Sequence, residues 1–561
     1  MSGGTSAGGP KAMTIAQAVR RFVRPGQTLH LSYGGGRPNA AVAEIIRQYQ
    51  GSSPGFTVSA QGFVNTQHAL VEAGLVRRLV VAFAGENYPS PRPNPALRRA
   101  VSAGTVQIEN WSLWTLTARL MAGALGTGVQ PVRSLAGSGL ADEHAGSRFT
   151  TIEALGAATG LVAELRPDVV LLQALAADPD GNVILAPPYG ERAWGALAAT
   201  QGVIACVERV VDSEFIRAHN TLPMIPAHAV LAVCHAPFGS HPYGMDAAGL
   251  PGVPGYAEDE PFMAEVRACA RQPETFAAWI RRWITETGSH DGYLAALGDD
   301  RCSALRGPAG PRGPGRTGPP SEDERMTLAL VRVLRDRISA AGHDVVLSGI
   351  GFAHLAAWTA VTAMQETGTA VQLAAELGMS GFVPQPGDPY LFALQNLPTC
   401  LQLTDVADVL GRDVAGPGTS CLGVLGAGIV DQHGNINSTW SGGQYLVGSG
   451  GANDVASAAD DVAVVIKHAP DRLVPAVEYI TAPGSHVSVI VTSLAVLERQ
   501  DGRFVAVRYL CDATPDAAAE RIREETGWPV AIDPCLRREP DPDPADLARL
   551  RSYDPAGAFL R

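Results

Sequence analysis

The sequence predicts an α/β fold built from two similar open α/β domains in tandem. Three observations predict it. Apolar runs at 78–83, 169–172 and 487–491 are continuous rather than alternating, as in strands covered on both faces. Helical stretches such as 115–125 and 515–526 separate such runs. Residues 303–322 (SALRGPAGPRGPGRTGPPSE) are too rich in Pro and Gly for a regular helix or interior strand, and they read as a linker. They divide the chain into 14–302 and 323–561, after a Gly/Ser-rich tail, 1–13, that reads as disordered.

Taken in order, the two parts share one grammar. The first opens with an amphipathic helix at 15–22, a strand at 28–32, Gly34-Gly35-Gly36, and a helix at 40–49. The second opens with a helix at 326–340, a strand at 344–347, Gly349-Ile350-Gly351, and a helix from Ala353. Later, the run 169–172 leads to Asp178-Pro179-Asp180-Gly181-Asn182, and 421–430 leads to Asp431-Gln432-His433-Gly434-Asn435. Each is a strand followed by a tight D-x-x-G-N type turn. Runs 203–207 and 462–466 come next in each part. Ligands of such sheets bind at the carboxyl ends of the strands.

Composition sets the bounds. A chain of 561 residues is too long for one core. Its 46% hydrophobic and 17% charged residues suit packed domains rather than disorder. A net charge of −12 argues against a nucleic-acid or anionic-membrane surface, so an anionic substrate needs a local basic pocket. Only Lys11 and Lys467 are lysines, which reads as genomic base composition rather than function. The eight cysteines are scattered without a CxxC pair, which speaks against a zinc site or a disulfide framework. The N-terminal residues lack the apolar core of a signal peptide, and no apolar run reaches membrane-spanning length. A reducing cytoplasm is the expected compartment.

Glu376 is the residue that stands out. It follows the apolar run Leu373-Ala374-Ala375 and precedes Leu377-Gly378. A lone carboxylate at the end of a buried strand is costly unless it has a task. The competing reading is an ordinary surface glutamate at a turn. Glu109 and Glu208 also follow strands, and a structural, hydrogen-bonded role suits them better.

Three glycine-rich loops accompany it. Gly34-Gly35-Gly36-Arg37-Pro38 either aims amides at an anion or merely permits a tight turn. Gly448-Ser449-Gly450-Gly451-Ala452-Asn453-Asp454 holds more glycine than a cap needs, which favours oxyanion donors, although Asn453 or Asp454 capping a helix at 455–459 is the plainer role. Glycines in Gly423-Val424-Leu425-Gly426-Ala427-Gly428 mark close approach of another group. No G-x-S-x-G elbow supports serine hydrolysis, and His235 and His241 lack a metal-ligand spacing.

Together these residues resemble family I CoA-transferases, most closely the glutaconate CoA-transferase-like group with its A and B subunits fused. The A-like half carries Gly34-Gly35-Gly36, Glu109-Asn110-Trp111-Ser112, the Asp178–Asn182 turn and Pro237-Phe238-Gly239-Ser240-His241-Pro242. The B-like half carries Glu376-Leu377-Gly378, Leu425-Gly426-Ala427, the Asp431–Asn435 turn, the loop 448–454 and Val491-Thr492-Ser493-Leu494-Ala495-Val496. Coverage is nearly the whole chain.

The resemblance implies a glutamate nucleophile in an E-x-G turn of the B half, the position of Glu376. It implies transfer of coenzyme A, as a substrate, between an acyl-CoA and a carboxylic acid acceptor through a glutamyl-CoA thioester, with no metal. Gly34, Gly35, Gly36, Gly378, Gly426, Ala427, Gly450, Gly451, Ala452 and Asn453 are the expected acyl-CoA and oxyanion loops. Arg37, Lys467 and Arg472 are candidates for the CoA phosphates. Fused relatives imply a homodimer. Two alternatives stand beside this: an acyl-CoA hydrolase on the same fold, for which Glu109 is the reserve nucleophile, and a non-catalytic acyl-CoA-binding protein.

Overall fold

The computed structural model describes residues 11–154, 156–307 and 315–560. The first half is a sheet whose seven main strands are all parallel. They are β1 (Thr28–Leu31), β2 (Phe56–Val64), β3 (Val76–Gly85), β4 (Gln107–Asn110), β5 (Val169–Ala177), β6 (Gly202–Val210) and β7 (Val230–His235). Their spatial order is β7-β6-β5-β1-β2-β3-β4. Every residue of β5 is buried, as its unbroken apolar run requires.

The second half repeats the pattern. Strands β8 (Val345–Ser348), β9 (Gln372–Ala375), β10 (Cys421–Gly426), β11 (Asp461–Ile466) and β12 (Val487–Thr492) lie parallel in the order β9-β8-β10-β11-β12. That is the order β2-β1-β5-β6-β7 of the first sheet. In both, the chain steps from the first strand to one side and later returns on the other. This leaves a topological switch point beside β1 and beside β8, where a ligand crevice forms. The second sheet then departs by adding Ala495–Gln500 and Arg503–Tyr509 antiparallel and Ala531–Arg538 parallel at its far edge.

The twin turns share the bonds of their last Asn to the Asp carboxylate and differ in the other amide, that of Gly181 in one and of His433 in the other. Asp178 Oδ1 accepts from the Gly181 and Asn182 amides at 2.9 Å, and Oδ2 accepts from Asn182 Nδ2 at 2.8 Å. Asp431 Oδ1 accepts from the His433 and Asn435 amides at 2.9 and 3.0 Å, and Oδ2 from Asn435 Nδ2 at 3.0 Å.

Two expectations need correction at their edges. Residues 11–13 are not part of a free tail. The Met13 amide donates to Val233 O at 3.0 Å, and the Val233 amide to Lys11 O at 2.9 Å, so they extend the edge of β7; residues 1–10 lie outside the described residues. The Pro/Gly segment does hold helix at its start. Asp299–Arg306 is helical, because residues 303–306 carry no Pro or Gly. The next helix begins at Glu322, where Ser321 and Glu324 form a capping box. Residues 308–314 lie outside the described residues.

The halves meet along a connecting loop of the second half, residues 447–450. The Ala84 amide donates to Val447 O at 2.8 Å, and the Gly450 amide to Ala82 O at 2.9 Å. The Leu113 amide donates to Gly450 O at 3.0 Å, and Gly448 bridges to Phe83 of β3. One apolar core runs across the junction, with Val80, Trp111, Leu113 and Trp114 of the first half packed into the same cluster as Val409 and Leu410 of the second.

Candidate active site

Glu376 sits in the turn that follows β9. The turn is held from both sides. Gly378 has φ +110°, and a Cβ there would run into the Thr404 backbone, so only glycine fits. The Thr404 amide donates to Gly378 O at 2.7 Å, and the Gly378 amide closes the turn onto Ala375 O at 3.0 Å. From the first half, the Gly190 amide donates to Leu377 O at 2.9 Å. The backbone carrying Glu376 is therefore clamped between the two halves.

The carboxyl group faces the glycine loop of its own half. A Cβ on Gly451 would lie 2.6 Å from Glu376 Oε2, so glycine there lets the loop close onto the carboxylate. The Gly451 amide makes no hydrogen bond among the described residues. Of the expected oxyanion donors it is the one that stands both free and beside Glu376.

Burial pushes the Glu376 carboxyl up to about 8, and the Asp454 carboxylate adds to the shift. Asp454 is 1% exposed. It accepts from Ser112 Oγ at 2.6 Å and from the Trp114 amide at 3.1 Å, both of the first half. Its own carboxyl is raised to about 6 by burial, against hydrogen bonds from Ser112, Ser134 and Trp114 that hold it down. Asn453 also reaches across: its Oδ1 accepts from the Leu135 amide at 2.9 Å. Neither residue is a cap. The helix runs Ala452–Ala458 with Gly451 before it, so both lie in its first turn.

Most of the other expected amides are already engaged. Gly35 donates to Pro188 O (2.7 Å), Gly450 to Ala82 O (2.9 Å), Ala427 to Val465 O (3.2 Å) and Ala452 to Ser449 O (3.1 Å). The Asn453 amide donates to Ser449 Oγ at 3.1 Å. Gly34, Gly35 and Gly36 pack against the backbone of residues 187–189 and Gln173, where a Cβ would collide. The tight-turn reading wins for that loop, because another backbone fills the space a ligand would need. Gly426 is exposed at the end of β10 beside Ile350, at the switch point.

The expected cations and the reserve nucleophile fare differently. Lys467 is held by Glu322 at 3.2 Å and by Asp323, so its charge is spent on structure. Arg472 is exposed. Arg37 is buried and stacked on two tyrosines, which does not suit a hydrated phosphate. Glu109 accepts from Trp111 Nε1 at 2.9 Å and pairs with Arg119 at 3.1 Å and with Arg78. Burial opposes its charge, yet these partners outweigh burial and hold the carboxyl below its ordinary value. A carboxylate so neutralised is a poor nucleophile, and these bonds favour the structural reading of Glu109. Glu208, bonded by Gln173 at 2.7 Å and the Phe238 amide at 2.9 Å, is structural too.

Sequence reasoning misses Gly190, Thr404 and the electrostatic part played by Asp454, and it names Ser112 only as part of a family motif without its bond to Asp454. The sequence offers Asp454 only as a cap. Gly190 and Thr404 carry no signal, since each acts on a residue far away in the chain. Among the described residues no group of three or more His, Cys, Asp or Glu is placed to hold a metal, and no helix is long and apolar enough to cross a membrane.

A carboxyl of raised basicity is thus enclosed where two matching α/β sheets meet. The chain belongs to the coenzyme A transferase family, whose pattern matches residues 12–236. It is 32% identical over 293 residues to the A subunit of 3-oxoadipate CoA-transferase from Pseudomonas knackmussii, covering 52% of this chain and 99% of that one. It is 28% identical over 327 residues to the A subunit of glutaconate CoA-transferase from Acidaminococcus fermentans, covering 53% and 94%. The C-terminal part matches the B subunit of the Pseudomonas enzyme, at 27% identity over 153 residues, 24% of this chain and 58% of that one. A and B homologues are thus fused in one chain. The fold of an acyl-CoA transferase from E. coli O157:H7 superposes with a TM-score of 0.69 at 15% identity, covering 98% of this chain and 99% of that one.

Proposed function

We propose that this enzyme moves CoA between an acyl-CoA and a carboxylic acid through a glutamyl-CoA thioester on Glu376. The observation that carries the reading is the enclosure of Glu376 against Gly451 between the two halves. Ionised Glu376 attacks the acyl-CoA carbonyl. The carbon–sulfur bond breaks, giving a mixed anhydride and CoA thiolate. The thiolate attacks the glutamyl carbonyl, releasing the acyl group as a free carboxylate and leaving the enzyme thioester. An acceptor carboxylate then runs the same steps in reverse and departs as the new acyl-CoA. Each step trades one activated carbonyl for another, so neither metal nor ATP is required.

Two features support the assignment. A carboxyl raised to about 8 is more basic, and hence more nucleophilic once ionised, than a solvated glutamate. The Gly451 amide stands ready for the oxyanion of the tetrahedral intermediates. The test is incubation with an acyl-CoA, then mass spectrometry of the protein before and after borohydride. A CoA adduct on the peptide containing Glu376, absent from Glu376→Gln, is expected. Full CoA transfer by Glu376→Gln would overturn the reading. Release of free CoA without any acceptor would assign the site to hydrolysis instead.

A further inference from the structure

The first half holds the Glu376 turn through one loop, residues 189–192, and the loop reaches the turn by two routes. The Gly190 amide donates to Leu377 O at 2.9 Å. The loop also pairs with the segment 404–406: the Tyr189 amide donates to Thr404 O at 3.2 Å, and the Val406 amide to Gly190 O at 2.8 Å. Thr404 in turn holds Gly378 O through its own amide at 2.7 Å. Whatever fixes this loop therefore fixes the two residues that follow Glu376.

The next residue of the loop is Glu191, and it is tied to the sheet by a buried chain of hydrogen bonds. Glu191, His30 and Ser59 are all fully buried. His30 Nε2 lies 2.7 Å from Glu191 Oε1, and His30 Nδ1 lies 2.7 Å from Ser59 Oγ. His30 and Ser59 are partners in register on the parallel strands β1 and β2. In the tautomer with its proton on Nε2, the imidazole donates to Glu191 and accepts from the Ser59 hydroxyl. Glu191 Oε2 has no hydrogen-bond partner among the described residues, so His30 is what anchors this carboxyl group.

The order serine, histidine, carboxylate invites a nucleophilic reading, but a nucleophile must meet its substrate and none of these three side chains is exposed. The other rival is a role in stability alone. A buried ionisable pair is a costly way to fill space, and apolar side chains of the same volume commonly stabilise as well or better. What the pair supplies and apolar side chains do not is direction, because a hydrogen bond of 2.7 Å fixes Glu191 at one point of β1. The packing leaves no slack around it. A Cβ on Gly195 would lie 2.6 Å from Glu191 Oε1 and 2.8 Å from the His30 ring. Gly190 has φ +53°, and a Cβ there would collide with Tyr33 O.

We propose that Glu191 and His30 are positioning residues for CoA transfer: their bond fixes the loop 189–192 against the first sheet, and the loop sets the place of the Glu376 turn in the second half. Neither residue touches substrate. Each acts through the Gly190 amide and its bond to Leu377. This rests on the assignment of Glu376 as the nucleophile, and it adds the residues of the other half that hold that nucleophile in place.

The test joins hydrogen exchange of the free enzyme to the rate at which the CoA adduct forms from acetyl-CoA. Glu191→Leu keeps the bulk of the side chain and removes the bond, whereas Glu191→Gln keeps an oxygen that accepts from His30. In Glu191→Leu the peptides holding Gly190 and residues 376–380 exchange about 10-fold faster than in the wild type, and in Glu191→Gln they do not. The adduct rate falls roughly 10- to 100-fold in Glu191→Leu, as for a misplacement of about 1 Å, while the half-saturating acetyl-CoA concentration stays within about twofold. Glu191→Gln restores most of that rate. Unchanged exchange in both peptides of Glu191→Leu overturns the proposal. A wild-type adduct rate in that variant overturns it as well, since a purely structural Glu191 predicts a lower Tm with the rate intact. Where Glu191→Leu does not fold, Gly195→Ala takes its place, because its methyl group displaces the Glu191 carboxyl with both partners kept. The two readings fail separately. An adduct that persists in Glu376→Gln counts against Glu376 alone, because the exchange comparison needs no turnover and still decides whether Glu191 holds the turn.

Discussion

Asp454 and Ser112 are 342 positions apart in the chain, yet Ser112 Oγ donates to Asp454 Oδ1 at 2.6 Å. Through this bond the first half positions the carboxylate whose field raises the basicity of Glu376 in the second. The environment of Glu376 is therefore a property of the junction, not of either half.

The first prediction concerns pH. The proposed mechanism needs ionised Glu376, and burial favours the protonated form, so it predicts that kcat/KM falls as pH drops below a midpoint near 8. Asp454→Asn removes a like charge and moves that midpoint to lower pH. Burial is the larger cause, so the midpoint stays above the ordinary glutamate range. A pH–rate profile of both proteins checks this, and an unmoved midpoint would remove Asp454 from the account.

Stability must carry the opposite sign. The folded-state value of about 8 lies above the ordinary 4.5. The group's favourable contribution is complete below 4.5 and is lost as pH rises through 8. Glu376→Gln therefore gains on the wild type between pH 5 and 9, by a few kcal/mol at the upper end, on the order expected for a shift of about three units. Denaturant unfolding at both pH values measures it.

Two glycine substitutions should separate in their effects. Gly378→Ala forces a left-handed backbone and meets the Thr404 main chain, so it lowers stability by roughly 2 kcal/mol or more. Gly451→Ala pushes instead on the Glu376 carboxyl, and its main loss is in kcat, on the order of 100-fold for a displacement of about 1 Å. Unfolding midpoints and steady-state kinetics of the two variants distinguish these outcomes.

Glu109→Gln tests the residue that the resemblance held in reserve. It leaves Arg119 buried without a counter-ion, which costs about 3 kcal/mol. CoA transfer persists in the folded variant, because the Glu109 carboxylate is occupied by Trp111, Arg119 and Arg78. Loss of the covalent adduct with an unchanged Tm would reverse the roles of the two glutamates.

Much of this was legible in the chain. Continuous apolar runs announced parallel strands, because strands covered on both faces have no polar side to show. The D-x-x-G-N turns were legible because their hydrogen bonds are local: the Asp carboxylate and the amides it caps lie within four residues. Glu376 was legible because a charge at the end of an apolar run has few structural uses. The glycine loops were visible but ambiguous. A glycine that admits a ligand and one that admits another backbone look alike until the neighbour is known, and for Gly34 to Gly36 the neighbour is residues 187–189 and Gln173. Arg37 reads as a phosphate candidate for the same reason: its burial against two tyrosines is not written in its local sequence.

By itself, then, the sequence determined the class of fold, the repeat, and the residue that stands out for chemistry, since periodicity and turn chemistry act over a few residues. Only the tertiary structure decided what surrounds that residue. Gly190, Ser112 and Asp454 come to the Glu376 turn from distant parts of the chain, and burial and opposing charge, which set its basicity, exist only once the two halves are packed together.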